Sequence, residues 1–123
     1  MRKVCSFSLV LLLSALLPSA LFAADGEKTV TGWVIDSACA FIKGLSKPNS
    51  RECAIACAKK GSALVILQED GTIYWPIAEI MPAVTQNDRL LPFAGQRVIA
   101  TGKVYTRGGS QAIAIEKLSA AGQ

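Results

Sequence analysis

Three cysteines, Cys39, Cys53 and Cys57, are the residues of this sequence whose type and spacing best suit chemistry. Cys53 and Cys57 are four positions apart in a segment predicted to be helical, which puts their side chains on one helix face about 6 Å apart. A third thiol, Cys39 from the preceding loop, can complete a three-thiolate site that favours Cu(I) or another soft ion. Thiols near a helix N-terminus can also have a lowered pKa and take part in thiol-disulfide exchange.

The same cysteines have a purely structural interpretation, which we prefer on the sequence alone. In an oxidising compartment, two of three cysteines form a disulfide and one thiol is left over. A bridge from Cys39 to Cys53 or Cys57 would tie the loop to the helix. In the chain-entropy model, closing a loop of roughly 15 residues contributes on the order of 3 kcal/mol. The sequence does not choose among the three pairings, and it leaves open whether the third thiol is inert, metal-binding or reactive.

No residue pattern here is typical of an enzyme. The chain contains no histidine, so histidine-based triads, zinc sites and general bases are excluded. The acidic residues show no spacing that suggests acid–base catalysis. Asp36, three residues before Cys39, is the candidate neighbour of the thiol site, although a turn cap at the end of a strand is the preferred interpretation. We therefore predict no catalytic residue and no cofactor, with a soft ion as the alternative.

The first 23 residues have the pattern of a secretory signal peptide. Arg2 and Lys3 precede an apolar run over residues 10–17, and small residues offer cleavage after Ala23 or Ala24. The apolar run is shorter than the ~20 residues of a membrane span, so none is expected after cleavage. Residues 24–123 then form a single domain, of about 100 residues, in the periplasm or outside the cell.

Charge argues against nucleic acid as the partner. Without Arg2 and Lys3 the chain has eleven basic and nine acidic residues, a net charge of +2. No basic cluster with interleaved aromatic residues is present. An unknown small ligand or a periplasmic protein is the partner we expect.

Five segments have the composition of β-strands: residues 29–35, 63–67, 72–75, 96–105 and 111–116. Asp70-Gly71 predicts a hairpin between the second and third strands, and Gly108-Gly109 predicts one between the last two. A helix is predicted after Asn49 or Ser50, ending near Gly61. The segment 41–51 has loop composition, and residues 78–91 hold one or two helical turns.

Five strands and one helix in so short a chain predict an all-β domain, a small five-stranded OB-like barrel with the helix between the first and second strands. The usual OB order places the helix between the third and fourth strands, so an open sheet with the helix across it is the alternative. Four aromatic residues on these strands are candidates for a ligand groove, because aromatic platforms stack sugars or bases. Core packing and strand propensity explain them equally well. They are Trp33, Tyr74, Trp75 and Tyr105.

The chain resembles a family of small secreted bacterial proteins of unassigned function. The resemblance rests on Gly32-Trp33-Val34-Ile35-Asp36-x-x-Cys39, Cys53-Ala54-x-x-Cys57-Ala58, Asp70-Gly71-x-x-Tyr74 and Thr101-Gly102-Lys103-Val104. Members often carry a histidine three residues before the first helical cysteine, where this chain has Ser50. The resemblance implies export and a five-stranded barrel, and it implies no activity.

Overall fold

The computed structural model describes residues 25–44 and 50–122, and the predicted signal peptide lies outside them. The strands are β1 (Gly26–Asp36), β2 (Leu64–Leu67), β3 (Ile73–Pro76), β4 (Arg97–Arg107) and β5 (Ser110–Ala120). The helices are α1 (Ser37–Ile42), α2 (Arg51–Lys59) and α3 (Asn87–Leu90), and a 3₁₀ turn follows at Leu91–Phe93. Within the described ranges, no helix is long and apolar enough to cross a membrane.

The five strands form a closed barrel in the order β1-β2-β3-β5-β4. Neighbouring strands are antiparallel except β3 and β5, which are parallel. The long pairing of β1 with β4, from Gly26 opposite Val104 to Trp33 opposite Arg97, closes the barrel. The predicted five-stranded OB-like barrel is confirmed, and the open-sheet alternative is wrong because both edges of such a sheet are paired here.

Strand alternation places the inner core as the sequence predicts. In β4, Val98, Ala100 and Val104 are buried, and Ile113 and Ile115 of β5 lie in the same core cluster. Both predicted hairpins are present, since β2 pairs with β3 and β4 pairs with β5 in antiparallel register.

The helices differ in number from the prediction. The expected helix is α2, with Ser50 as its N-cap. The structure adds α1, which continues directly from β1 and includes Phe41, a residue assigned to a loop from composition. The physical reason is Asp36, whose side chain accepts a hydrogen bond from the Cys39 backbone N–H and so starts a helix. The short α3 and the 3₁₀ turn occupy the ambiguous segment between β3 and β4.

A second apolar cluster lies on the opposite face of the sheet from the inner core. Val34 belongs to the inner cluster while its neighbour Ile35 belongs to the second one, as strand alternation requires. The second cluster also contains Cys39 and Ala40 of α1, so α1 packs on the outside of the barrel. Cys53 packs against this cluster, and α1 and α2 therefore meet beside the end of β1.

Candidate functional site

The three predicted cysteines come together in the structure. Their Sγ atoms all lie within 4.8 Å of one another. Cys39 is buried, while Cys53 and Cys57 are partly buried. No disulfide joins cysteines in the described part of the chain, so the predicted bridge stays a prediction. We call Cys39, Cys53 and Cys57 the thiol cluster.

Cys39 is held in place by the start of α1. Asp36 is the last residue of β1 and the N-cap of the helix, and its Oδ1 accepts the Cys39 backbone N–H at 2.7 Å. The turn-cap interpretation of Asp36 therefore describes its backbone contact correctly. Because β1 is fixed on both sides by β2 and β4, the position of Cys39 follows from the barrel itself.

Cys53 and Cys57 are presented by α2. The Ser50 side chain accepts the Cys53 backbone N–H at 3.0 Å, which caps the helix at its first turn. Four-residue spacing then puts Cys57 one turn along on the same face. The two helical thiols thus form a pair that meets the single thiol of α1.

Asp36 has a second role beside the thiol cluster. Its side chain is 1% exposed, and its Oδ2 accepts a hydrogen bond from the Ser62 hydroxyl. Burial alone would raise the pKa of Asp36, but hydrogen bonds with Cys39 and Ser62 outweigh burial and lower the pKa below its ordinary value. A buried negative charge therefore lies next to Cys39.

This charge changes the acidity of the thiols. The hydrogen bond with Asp36, followed by burial, raises the pKa of Cys39 from 9.0 to about 12. Burial, followed by the charge of Asp36, also raises the pKa of Cys57. Reactive cysteines of exchange enzymes have lowered pKa values, because the thiolate is the nucleophile. The electrostatics of these two thiols thus disfavour a thiol-disulfide exchange role.

The raised pKa of Cys39 predicts a loss of stability at alkaline pH in the reduced, metal-free protein. The folded state holds the thiol proton more tightly than the unfolded state, so the stabilisation is complete below pH 9.0 and is lost as the pH rises toward about 12. We expect wild type to lose roughly 3 kcal/mol more than Cys39→Ser across this range. Urea unfolding at a series of pH values measures the difference.

Serine is the matched substitution for that measurement, because its hydroxyl can still donate to Asp36 but does not titrate. Titrating groups outside the thiol cluster contribute equally to both proteins and cancel. Parallel curves for wild type and Cys39→Ser would show that the Cys39 proton has no part in stability.

A surface cavity gives access to the thiol cluster from the α2 side. Its volume is about 360 Å³. Its lining residues are Asp36, Ala38, Ala56, Cys57, Lys60 and Ser62. Cys57 is thus the cysteine of the thiol cluster that lines this cavity, while Cys39 is buried.

The four aromatic residues considered for a groove lie in separate surroundings. Trp33 lines a cavity of about 470 Å³ with Arg97 at one end of the barrel, and Tyr74 is buried in the inner core. Trp75 stacks on Phe41 of α1, with ring centroids 6.2 Å apart. Tyr105 hydrogen-bonds with Glu79.

Strand register places Trp75 and Tyr105 on either side of Ala112. Trp33 and Tyr74 share no cavity with them among those seen in the described residues. The structure therefore brings the cysteines together but does not gather the four aromatics around one site.

Two contributors to the site were not identified from sequence. Ser62 lies 26 residues after Asp36 and reaches it because β2 starts opposite the end of β1. Lys60 lines the cavity beside Cys57, although its sequence position indicates only a helix end. Their positions just after α2 are the one local signal, since a residue that follows a cysteine-bearing helix stays close to it.

The thiol cluster, the buried carboxylate and the cavity are thus the features from which function is inferred. Comparisons with known proteins add no family or activity to them. No family model, curated protein or solved structure matches this chain.

Proposed function

We propose that this protein is an exported, non-enzymatic binding protein that holds a soft ion between Cys39, Cys53 and Cys57. The observation that carries the proposal is the mutual approach of the three Sγ atoms to within 4.8 Å. Helix spacing accounts for the approach of Cys53 to Cys57, but the approach of Cys39 from α1 depends on the tertiary structure. Export is inferred from the predicted signal peptide at residues 1–23.

The sulfur spacing suits an ion after a small contraction. A metal–sulfur bond of about 2.3 Å separates the sulfurs of a tetrahedral or trigonal site by roughly 3.8–4.0 Å. The largest separation in the thiol cluster therefore needs to shrink by about 1 Å at most. Rotation of the partly exposed Cys53 and Cys57 side chains can supply this without moving the barrel.

The ligand type indicates the class of ion. Thiolates are soft donors and select ions such as Cu(I), whereas Mg²⁺ and Ca²⁺ require oxygen. Asp36 supports the ligands instead of adding to them, because its oxygens already accept hydrogen bonds from Cys39 and Ser62. Hydrogen-bonded partners of this kind orient metal ligands in protein sites.

The experiment is an anaerobic titration of the reduced protein with Cu(I) against a competing chelator. The protein used for the titration carries the substitution Cys5→Ser, so that Cys39, Cys53 and Cys57 are its only cysteines. We expect one tightly bound equivalent of Cu(I), and a higher melting temperature with the ion bound because ligands that bind only the folded state stabilise it. Each single substitution of Cys39, Cys53 or Cys57 by serine should weaken binding by at least about 100-fold, because loss of a ligand costs more than loss of a residue that orients one.

A matched control distinguishes the effect of the thiol cluster's geometry from the effect of the number of thiols in the chain. Cys57→Ser combined with Ser119→Cys keeps three thiols per chain, and Ser119 is exposed on β5. This variant should bind Cu(I) as weakly as Cys57→Ser alone. If it binds as tightly as the parent chain, or if the parent chain binds no stoichiometric ion, the proposal is wrong.

The disulfide predicted from the sequence is the competing outcome. A thiol count on wild-type protein isolated from the periplasm would then find one thiol among the three, and the isolated protein would hold no ion. Such a protein would be an exported accessory domain whose bridge is structural.

A further inference from the structure

We propose that the ion held by the thiol cluster is trivalent arsenic or antimony. It enters as a small neutral trihydroxide, As(OH)3 or Sb(OH)3, the form in which arsenite or antimonite is present at neutral pH. This inference rests on the proposed function and names its ligand. Three features support the inference: the number of thiol donors, the buried charge of Asp36 next to them, and the cavity that Cys57 lines.

The donor number fits an ion that forms three bonds. Within the described residues, the group that could hold a metal contains Cys39, Cys53 and Cys57 and no fourth side chain. Structural zinc sites take four protein ligands, so this cluster is one donor short for zinc. Trivalent arsenic and antimony form three bonds to sulfur and need no fourth donor.

The charge beside the cluster favours an ion that cancels all three thiolate charges. With Cu(I), three thiolates retain a net charge of −2, and a divalent ion leaves −1. A trivalent ion leaves a neutral cluster, which the buried carboxylate of Asp36 does not repel. Lys60 lines the cavity on the exposed side, where water screens its charge more than that of Asp36.

The cavity suits a small uncharged reagent. Ala38, Ala56 and Cys57 are among the residues that line it. A neutral trihydroxide can enter such a cavity without the free-energy cost of desolvation that a charged ion has. Cys57 is then the first thiol to react, and the thiols of Cys53 and Cys39 follow.

The exchange is balanced without any oxidant or reductant. Three S–H bonds and three As–O bonds break, while three As–S bonds and three O–H bonds form. One arsenous acid molecule and three thiols therefore give one arsenic tris-thiolate and three water molecules. The arsenic stays trivalent, and no net proton is released.

The test compares arsenite with Cu(I) on the reduced full-length chain carrying Cys5→Ser. We expect one arsenite per chain, seen by native mass spectrometry as a mass increase of one arsenic atom minus three hydrogens. Cys57→Ser should weaken arsenite binding by at least about 100-fold, because the two remaining thiols form only two As–S bonds and leave one As–OH bond that exchanges with water. The same variant should retain weakened Cu(I) binding, because Cu(I) is also stable with two thiolates.

Asp36→Asn tests the role of the charge. Asparagine keeps the shape of the side chain and an acceptor for the Cys39 N–H, but it removes the negative charge. We expect Cu(I) affinity to rise about tenfold and arsenite affinity to change by less than about threefold. An equal loss for both ligands would show that Asp36 only positions the helix, and the charge argument would fail.

The outcomes separate this inference from the proposed function. If Cu(I) binds at one equivalent and arsenite does not bind, the trivalent ligand is wrong while the three-thiol site stands. If neither binds to the reduced chain, both are wrong. Arsenite bound equally well by Cys57→Ser would also overturn the inference, since the third sulfur would then be unnecessary.

Discussion

Gly102→Ala is expected to lower the stability of the barrel by about 4 kcal/mol. A Cβ atom at position 102 would lie 2.0 Å from the backbone oxygen of Ala114 and 2.9 Å from its carbonyl carbon. Both atoms belong to the backbone of β5, so no side-chain rotation relieves the clash. The melting temperature should fall by more than about 15 °C for a domain of this size, measured by circular dichroism under reducing conditions.

The close approach at Gly102 has a structural origin. The register of β4 against β5 shifts between Thr101 and Gly102, and Gly102 also pairs with Lys28 of β1. Shifts of this kind bend a strand and help a small barrel to close. A methyl group at this point would force β4 and β5 apart at a position where β4 is paired with both β1 and β5.

Gly26→Ala is the matched control for this prediction. Gly26 is also a strand glycine, opposite Val104, but a Cβ there would have nothing within 4 Å. We expect a change of less than about 0.5 kcal/mol. Equal effects at positions 26 and 102 would mean that loss of glycine as such, and not the contact with Ala114, determines stability.

Asp36→Ala is expected to cost about 3 kcal/mol and to loosen α1. The substitution removes the N-cap of the helix, worth about 1 kcal/mol, and leaves the Ser62 hydroxyl without its acceptor, which adds roughly 1–3 kcal/mol. Because α1 carries Cys39, the thiol cluster should open as well. Urea unfolding gives the stability, and the rate of Cys39 modification by a thiol reagent reports the opening.

The pH dependence gives Asp36→Ala a second signature. The pKa of Asp36 is lowered by folding from 3.8, so its stabilisation is complete above that value and is lost as the pH falls below it. Wild type should therefore lose this part of its stability in acid, and Asp36→Ala should not. Identical acid unfolding of the two proteins would contradict the role given to the carboxylate.

Asp70→Ala is the control for Asp36→Ala. The Asp70 side chain also accepts a backbone N–H, from Thr72 at 2.9 Å, but Asp70 is exposed in the β2–β3 turn. Water can replace its hydrogen bond, so we expect a cost below about 1 kcal/mol. A large effect at both positions would indicate that burial of Asp36 has no special importance.

Much of the barrel was predictable because its signals are local. Alternation in β4 identified Val98, Ala100 and Val104 as inward-facing, since side chains on a strand point to opposite faces in turn. Asp70-Gly71 and Gly108-Gly109 located the hairpins, and Gly71, Gly108 and Gly109 all have positive φ. Ser50 and the four-residue spacing of Cys53 and Cys57 located α2 and its thiol face.

The remaining features depend on contacts between distant parts of the chain. The helix α1 begins because Asp36 is buried at the end of β1 and is also fixed by Ser62, and no periodicity over six residues reveals that. Phe41 belongs to a segment of loop composition, yet it lies in α1 and stacks on Trp75 of β3. The parallel pairing of β3 with β5 likewise joins segments that are not adjacent in sequence.

The sequence by itself determined the residue types of the site. They are two thiols on one helix face, a third thiol that follows a strand, and an acidic residue near that third thiol in the sequence. Only the tertiary structure decided that Cys39 meets Cys53 and Cys57 and that Asp36 is buried against them. The physical reason is the antiparallel pairing of β1 with β2, which fixes the end of β1 next to the start of β2 and so determines where α1 and α2 meet. Spacing along a helix is a local property, but the approach of two helices depends on the strands that carry them.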